Sequence, residues 1–234
     1  MDSEFCRNII ESAKRQKSQP VVKKKPITID ILRSILDIHN KKDANLKNLR
    51  IAALCSLAFA GFFRYDELSN IVPKHIEFHS HHIRIFVPRS KTDVYREGNF
   101  VFISASKSKY CPVGVLQQYL DVSGIDLCSS LSLFRPLVFH RSSSSYTLRS
   151  GKISYTTSRD LLRDILSQLG YNPNDYGLHC LRFGGITSVV RNSSNLIPES
   201  LLKIHGRWKS DPAKDIYVEQ SLENRLQVTK YLGL

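Results

Sequence analysis

Acidic side chains are scarce in this sequence of 234 residues, which has 21 aspartates and glutamates against 34 lysines and arginines. The formal net charge is therefore +13 at pH 7. Such an excess of one charge repels itself in a folded chain, so it usually reflects an acidic partner. Nucleic acid is the partner that we expect first, and a membrane surface or a generic basic protein is the alternative.

Paired cysteines are also missing. The five cysteines are an odd number, and no Cys-x-x-Cys pair occurs. The sequence therefore argues against both a disulfide framework and a zinc site. Cys55 and Cys180 stand in apolar runs and are predicted to be small core residues. This usage fits a reducing compartment, which is the cytoplasm or the nucleus, and the nucleus if the source is eukaryotic.

Long apolar runs and nucleotide-binding glycine motifs are absent as well. The longest apolar run, residues 51–63, is too short to span a bilayer and contains Ser56. The sequence has no Gly-x-x-x-x-Gly-Lys loop and no Gly-x-Gly-x-x-Gly motif. We therefore expect no membrane partner and no cofactor.

Three histidines, His79, His81 and His82, fall close together before a predicted strand. A metal site is one interpretation, but no carboxylate or cysteine stands nearby at the spacing of metal ligands. We predict that all three are solvated turn residues and that the chain binds no metal.

The composition of the chain changes near residue 25. Residues 1–25 are polar and basic, and we interpret them as a basic linker or as the remnant of a preceding DNA-binding segment. The lysine run at 23–25 is predicted to be solvated, with a nuclear address or a phosphate contact as the alternatives. Residues 26–234 are predicted to form one domain.

Helical periodicity dominates this domain. Residues 27–40, after Pro26, carry apolar residues at steps of three and four, and residues 46–61 are apolar on nearly every side from Ile51 onward. The first stretch predicts an amphipathic helix and the second a central buried one. Further helices are predicted from the patterns at 111–120 and 158–170.

A different period separates the helices. Residues 83–87 alternate and residues 100–103 are rich in strand formers, which predicts an antiparallel sheet of two or three strands. The serine-rich part of residues 123–151 is predicted to be a flexible surface loop. The fold class is therefore α+β and mostly helical. The last helix, with Leu222, Leu226 and Val228, is expected to expose an apolar edge near the C-terminus.

The stretch "LHCLRFGG" places a histidine and an arginine on one helix face. His179 and Arg182 are three residues apart, so both tips can point at one ligand. Gly184 and Gly185 each cost about 1 kcal/mol against alanine inside a helix, which makes sense where another backbone approaches closely. The alternative is a core histidine beside a surface arginine.

Four more residues with polar groups are candidates for the same site. Arg64 follows the buried helix and has Glu67 three residues on, and Lys91 stands at the tip of the predicted strand pair. Trp208 and Tyr217 are nine residues apart near the end of the chain. Each has an alternative role, as a surface ion pair, a turn lysine or a packing aromatic.

The order and spacing of these motifs resemble the catalytic domain of the tyrosine recombinase (phage integrase) family. The resemblance covers residues 26–234, and "GRWKS" around Trp208 is most similar to recombinases of eukaryotic mobile elements. One departure concerns the residues before Arg64, which are Gly61, Phe62 and Phe63, where many members of the family have Gly-Leu. The local turn is therefore expected to differ.

The resemblance implies a role for each residue of the constellation. Tyr217 would attack a DNA phosphodiester, giving a 3′-phosphotyrosyl bond and a free 5′-hydroxyl. Arg64 and Arg182 would hold the non-bridging oxygens, where a fork of donors matches the developing charge.

Three residues would handle protons and the phosphate. Lys91 would protonate the leaving 5′-oxygen, and His179 would assist proton transfer with the tyrosine or donate to the phosphate. Trp208 would donate its indole N–H to the phosphate. No metal or other cofactor is implied.

The function implied is DNA strand cleavage and rejoining, in site-specific recombination or integration. The partner would be double-stranded DNA, bound by a homotetramer on paired sites. The alternative is a domesticated DNA-binding protein that keeps the recombinase fold without turnover. A type IB topoisomerase and an RNA-binding domain are further alternatives that the sequence supports less.

Overall fold

One buried helix forms the centre of a helical body that also carries two small antiparallel sheets. The structure, a computed structural model, describes residues 4–17, 24–90, 93, 95–193, 196–208 and 222–234. The α-helices of these ranges are α1 (Glu4–Lys17), α2 (Ile29–His39), α3 (Leu46–Ala60), α4 (Tyr65–Ser69), α5 (Pro112–Ser123), α6 (Tyr155–Gln168), α7 (His179–Asn192), α8 (Glu199–Gly206) and α9 (Leu222–Lys230). The strands are β1 (Ile76–Phe78), β2 (His82–Val87), β3 (Asn99–Ser104), β4 (Leu137–His140) and β5 (Ser145–Leu148).

Helix α3 is the buried centre of this body. Its first turn is capped by Asn45, whose side chain accepts a hydrogen bond from the backbone N of Asn48 at 3.0 Å. Every residue from Leu49 to Ala60 is buried, and the helix packs against α2, α5 and α7. The prediction of a central buried helix is confirmed. In the described ranges no helix is both long and apolar enough to cross a membrane.

Helix α2 begins a few residues after Pro26 because Thr28 caps it. The Thr28 hydroxyl accepts a hydrogen bond from the backbone N of Ile31 at 3.3 Å, which satisfies one of the unpaired N–H groups of the first turn. Ile31 and Ile35 are buried, whereas Ile38 is 39% exposed. The buried face of α2 is therefore narrower than the spacing of its isoleucines predicts.

The basic segment ahead of α2 includes a helix of its own. All side chains described in α1 are exposed. Lys25 is tied to the body, since its backbone N donates to the carbonyl of Asp175 at 2.9 Å and its Nζ lies 2.7 Å from the carboxylate of Asp175. The domain boundary near residue 25 stays a prediction.

Two glycines let α7 approach its neighbours closely. A Cβ at Gly184 would overlap the carbonyl oxygen of Ile27, and one at Gly185 would overlap the carbonyl oxygen of Phe59 in α3. The backbone N of Ile27 also donates to the carbonyl of Cys180 at 3.0 Å. The close backbone approach predicted from this glycine pair is confirmed.

The first sheet has the strand order β1-β2-β3, and both pairings are antiparallel. Ile83 stands opposite Ile103 and Ile85 opposite Val101, and all four side chains are buried. The predicted sheet of two or three strands is confirmed, and β1 is its third strand.

The three clustered histidines differ in their surroundings. His79 and His81 are exposed, as predicted for turn residues. His82 is the first residue of β2 and is only 7% exposed, with its ring stacked on that of His79 at 4.4 Å between centroids. The prediction of a solvated His82 is wrong because the strand already begins at this residue.

The serine-rich stretch contains a hairpin of β4 and β5. Val138 pairs with Thr147, and Phe139 pairs with Tyr146. The rings of Phe139 and Tyr146 lie 4.9 Å apart, a cross-strand contact of the kind that stabilises a strand pair. The prediction of a flexible loop is wrong because this ladder and ring contact hold strands whose side chains are mostly exposed.

Helix α9 packs on the first sheet. Leu222 is 45% exposed, but Leu226 and Val228 are buried against the chain's own body. Thr229 accepts a hydrogen bond from the backbone N of Ser104 in β3 at 2.8 Å. The expectation that Leu226 and Val228 are exposed is wrong, because β3 covers this face of the helix.

The close approach of α7 predicts that Gly184→Ala destabilises the protein. The added methyl meets backbone at Ile27, which has little freedom to move, so we expect a loss of about 1–3 kcal/mol in the free energy of unfolding. Gly114→Ala in α5 is the matched control, since its Cβ would lie 3.8 Å from the nearest heavy atom. That variant should be neutral or gain up to about 1 kcal/mol. Urea unfolding of both variants measures the difference, and equal stabilities would contradict the packing argument.

Candidate active site

A buried glutamate lies at the centre of the candidate site. Glu67 in α4 is 2% exposed. Its carboxylate accepts hydrogen bonds from the backbone N of Arg64 at 2.9 Å, from Arg64 Nη1 at 3.0 Å and from Arg207 Nη2 at 2.8 Å. Arg182 Nη1 lies 3.9 Å away. Three arginines from separate parts of the chain therefore surround one carboxylate.

The turn between α3 and α4 supplies carbonyl oxygens to the same arginines. Phe62 has a φ of 48°, in the left-handed region, and its carbonyl accepts hydrogen bonds from Arg182 Nη1 and from Arg207 Nη2. The carbonyl of Gly61 accepts from Arg207 Nη1 at 3.1 Å. A Cβ at Gly61 would overlap the ring of Phe63, which is buried and has little room to move, so glycine is favoured at this turn.

The C-terminal end of α8 meets this turn from the other side. The carbonyl of His205 accepts from Arg207 Nη1 at 2.7 Å, and the carbonyl of Gly206 accepts from Arg182 Nη2 at 2.6 Å. The last carbonyls of a helix have no partner inside the helix and carry partial negative charge. The ends of α3 and α8 therefore attract the two guanidiniums that join them.

Arg182 is more deeply buried than expected for a residue that faces a ligand. Its side chain is 2% exposed, both Nη atoms donate to backbone carbonyls, and its guanidinium lies 5.3 Å from the ring centre of Trp208. Burial, followed by repulsion from Arg64 and Arg207, lowers the pKa of Arg182 to about 9, which keeps it charged at neutral pH. These two bonds use two of the five N–H donors of the guanidinium, so its burial, and not a lack of donors, limits its contact with a phosphate.

His179 and Arg64 form the accessible edge of the cluster. His179 is exposed at the start of α7, and the Arg64 side chain is 23% exposed. Partial burial and then the positive charges of Arg182 and Arg64 lower the pKa of His179, so its imidazole is neutral at pH 7. Although the two residues are three apart on α7, His179 is therefore exposed and Arg182 is buried, and their orientation toward one ligand stays a prediction.

Two residues near the end of α8 have different roles. Trp208 is half-buried and packs against Gly206, and its ring covers the guanidinium of Arg182. His205 is buried, and its Nε2–H donates to the carbonyl of Ala60 at 2.8 Å. Burial lowers the pKa of His205 to about 3, so it is a neutral structural residue.

Lys91 and Tyr217 lie outside the described residues, so their predicted roles rest on the sequence. The structure brings four of the six predicted site residues, Arg64, His179, Arg182 and Trp208, into one cluster. Each of these four is connected to the others through a contact or an electrostatic effect given above.

Sequence reasoning did not identify Arg207 as a site residue, and it noted Glu67 only for its spacing from Arg64, with a surface ion pair as the alternative. Arg207 is 4% exposed and sits one residue before Trp208. A usable signal was available, since a glutamate seven residues after the end of a buried helix needs strong cationic partners if it is itself buried. No local pattern indicates that Arg207, 140 residues further on, is one of them.

The neighbouring arginines determine whether the central carboxylate of Glu67 is ionised. Burial alone would raise the pKa of Glu67, but the ion pair and hydrogen bond with Arg207, the backbone hydrogen bond from Arg64 and the charge of Arg182 lower it. Glu67 is therefore ionised at neutral pH. Three positive charges then face one negative charge in a largely dry cluster.

Comparison with known proteins identifies relatives. No protein-family model matches the sequence. The chain is 26% identical over 217 residues to an integrase/recombinase, a XerD homologue of Selenomonas ruminantium, and the match covers 92% of this chain and 60% of that protein. The chain thus spans about 60% of the length of this relative.

Solved structures share the fold. The XerH site-specific recombinase in a pre-cleavage complex with its difH substrate has a TM-score of 0.56 at 14% identity, over 88% of this chain and 50% of that chain. The FLP recombinase in a Holliday junction complex has a TM-score of 0.55 at 14% identity, over 97% of this chain and 57% of that chain. The integrase of mycobacterium phage Brujita has a TM-score of 0.56 at 12% identity, over 96% of this chain and 68% of that chain. The predicted tyrosine recombinase fold is confirmed.

The buried carboxylate predicts that Glu67→Gln is strongly destabilising. The amide keeps the shape but leaves buried guanidiniums without their counter-charge, which costs about 3–5 kcal/mol at pH 7. Because the pKa of Glu67 is lowered in the folded protein, the stability it contributes is present above about pH 4.3 and is lost as pH falls through its folded pKa.

Urea unfolding between pH 7 and pH 3 measures this effect. The difference in the free energy of unfolding between the wild type and Glu67→Gln should shrink as the pH falls through this range. The control is Glu77→Gln, which breaks an exposed pair with Arg84 and should change stability little. A Glu67→Gln variant as stable as this control at pH 7 would show that the cluster does not depend on the carboxylate.

Proposed function

We propose that this chain, a homologue of the tyrosine recombinases with their catalytic-domain fold, cleaves and rejoins double-stranded DNA through a covalent bond between Tyr217 and a 3′-phosphate. The reaction would serve site-specific recombination or integration. The hydroxyl of Tyr217 attacks phosphorus, the 5′-oxygen leaves, and the phosphotyrosyl bond keeps the energy needed for rejoining.

The observation that carries the proposal is the excess of positive charge in the cluster. Arg64, Arg182 and Arg207 bring three positive charges, and Glu67 brings one negative charge, so the cluster has a net charge of +2. The accessible edge is formed by Arg64 and the exposed His179. An oxyanion such as a DNA phosphate supplies the missing negative charge in a site with low water content, where such attraction is strongest.

Arg64 and Arg182 bind the non-bridging oxygens in this mechanism. Arg64 is partly exposed and already oriented by Glu67, so it can contact phosphate without rearrangement. Arg182 uses two of its five N–H donors on the carbonyls of Phe62 and Gly206, so it can donate another to the phosphate while both bonds remain. The phosphate carries a full negative charge, so the guanidinium attracts it more strongly than it attracts the carbonyl dipoles.

Three residues support the chemistry. The lowered pKa of His179 leaves a neutral imidazole, which can accept the proton of the tyrosine hydroxyl. Trp208 donates its indole N–H to the phosphate. Lys91 protonates the leaving 5′-oxygen, and this is supported by Arg89, two residues earlier, which lies 3.6 Å from the carboxylate of Asp66 in α4.

The partners follow from the same chemistry. The net charge of +13 favours double-stranded DNA, and the XerH and FLP structures are complexes with DNA. We propose that the protein acts as a homotetramer on paired sites in the nucleus or the cytoplasm. Of the three apolar residues of α9, Leu222 alone offers exposed apolar surface for a contact between protomers. Leu226 and Val228 are buried in the chain's own body.

The alternative function is a domesticated DNA-binding protein without turnover. The observation that favours it is Arg182, whose Nη atoms are both held by backbone carbonyls in this structure. Such a protein binds DNA through the same basic surface but forms no covalent bond with it.

The nucleophile is tested with Tyr217→Phe. The change removes one oxygen, so it should leave DNA binding nearly intact and abolish the covalent protein–DNA species on a nicked suicide substrate, measured as a gel shift under denaturing conditions. The control Tyr231→Phe changes a half-buried tyrosine in the same tail and should still form the adduct. An adduct with Tyr217→Phe would place the nucleophile elsewhere. If the wild type forms none, the DNA-binding alternative is the better one.

The general acid is tested with Lys91→Ala. Loss of the proton donor should slow cleavage about 10² to 10⁴-fold. A substrate with sulfur at the 5′-bridging position has a leaving group that needs no proton, so it should restore the rate of Lys91→Ala. Arg64→Ala is the comparison because its side chain is partly exposed, whereas loss of the buried Arg182 would disturb folding. The sulfur substrate should not rescue Arg64→Ala, and equal rates on both substrates for Lys91→Ala would remove Lys91 from the mechanism.

A further inference from the structure

Arg207 occupies a backbone position that disfavours arginine. It is the C-cap of α8, with φ 54° and ψ 45°, in the left-handed region where a residue with a Cβ is strained and glycine is the usual choice. The side chain is also buried, which is costly for a guanidinium. Both features indicate that the side chain has a role which glycine could not fill.

The contacts of Arg207 join three parts of the candidate site. It donates to the carbonyls of His205 at the end of α8 and of Gly61 and Phe62 in the turn after α3. It also donates to the carboxylate of Glu67 at 2.8 Å. The turn leads into Arg64, and α8 leads into Trp208, so this one guanidinium connects both ends of the site.

We propose that Arg207 is a positioning residue, which binds Oε2 of Glu67 so that Arg182, facing the same oxygen, remains available to the DNA phosphate. This inference rests on the proposed function. Arg182 now lies 3.9 Å from Glu67, outside hydrogen-bond range, whereas Arg207 makes the close pair at 2.8 Å. Arg64 already binds the other oxygen, Oε1, so without Arg207 the carboxylate would compete with the phosphate for Arg182.

The proposal predicts a specific change in pH dependence. The charged groups that face Glu67 are Arg64 at the start of α4, Arg182 from α7 and Arg207 after α8. The nearby His205 donates to Ala60 instead. Removal of Arg207 takes away the largest attraction that lowers the pKa of Glu67, so this pKa rises. Activity, which needs the ionised carboxylate, is then lost at a higher pH on acidification.

Arg207→Gly is the decisive variant because glycine suits the left-handed backbone while the guanidinium is removed. We expect the variant to be less stable than the wild type, because buried Glu67 loses its closest partner, so the assays are run at temperatures where circular dichroism shows it folded. There it should bind DNA and form the covalent adduct roughly 10- to 100-fold more slowly, as expected when reacting groups are misplaced. The acid limb of its rate profile should move to higher pH. Arg207→Lys keeps the charge and should recover part of the rate. The matched control is Arg96→Gly, an exposed arginine at φ 58°, whose acid limb should match that of the wild type.

A second measurement is independent of cleavage. Titration of the Glu67 carboxyl carbon by NMR should give a higher pKa in Arg207→Gly than in the wild type and no change in Arg96→Gly. An unchanged Glu67 titration, or an Arg207→Gly rate equal to that of the wild type, overturns the proposal. If the wild type forms no adduct, the proposed function fails, and the titration still decides whether Arg207 controls the carboxylate.

Discussion

A single buried carboxylate is the constraint on which the candidate site depends. Glu67 is almost fully removed from water, and an ionised carboxylate in such a place is tolerated only with charged partners and hydrogen bonds. Its partners, Arg64, Arg182 and Arg207, come from three separate segments of the chain. Holding the carboxylate in place therefore holds α4, α7 and the end of α8 in a fixed arrangement.

The arginines in turn need more acceptors than one carboxylate offers, and two helix ends provide them. The carbonyls of Gly61 and Phe62 after α3, and of His205 and Gly206 at the end of α8, accept further hydrogen bonds from Arg182 and Arg207. These carbonyls are dipoles without full charge, so the cluster remains positive. The same interactions that stabilise the fold thus leave an attraction for an oxyanion at the edge formed by Arg64 and His179.

Close packing of α7 on α3 brings Arg182 near enough to bond the turn after α3. Gly185 rests against the carbonyl of Phe59, one turn before Phe62 in the chain, and Arg182 stands three residues before Gly185 on α7. Because the two backbones touch at the glycine, the Arg182 side chain can reach the carbonyl of Phe62. A larger residue at position 185 would move α7 away and lengthen that contact.

Local pattern was enough to predict much of this protein. The apolar residues of α3, the alternation in β2 and the spacing of His179 and Arg182 each reflect a period of the backbone, which neighbouring residues determine by themselves. The family resemblance rested on the same kind of short motif. The glycine pair of α7 indicated a close contact correctly, but not which backbone would make it.

The tertiary structure alone decided which charged groups meet. Arg207 has no local feature that marks it as a partner of Glu67, and the burial of Arg182 is not evident from a helix face that also carries the exposed His179. The hairpin of β4 and β5 escaped prediction for a related reason, since pairing across strands, and not alternation along them, holds it together. The choice of partner for a buried charge depends on the approach of segments far apart in the chain, and the energy of that approach is not contained in any one of them.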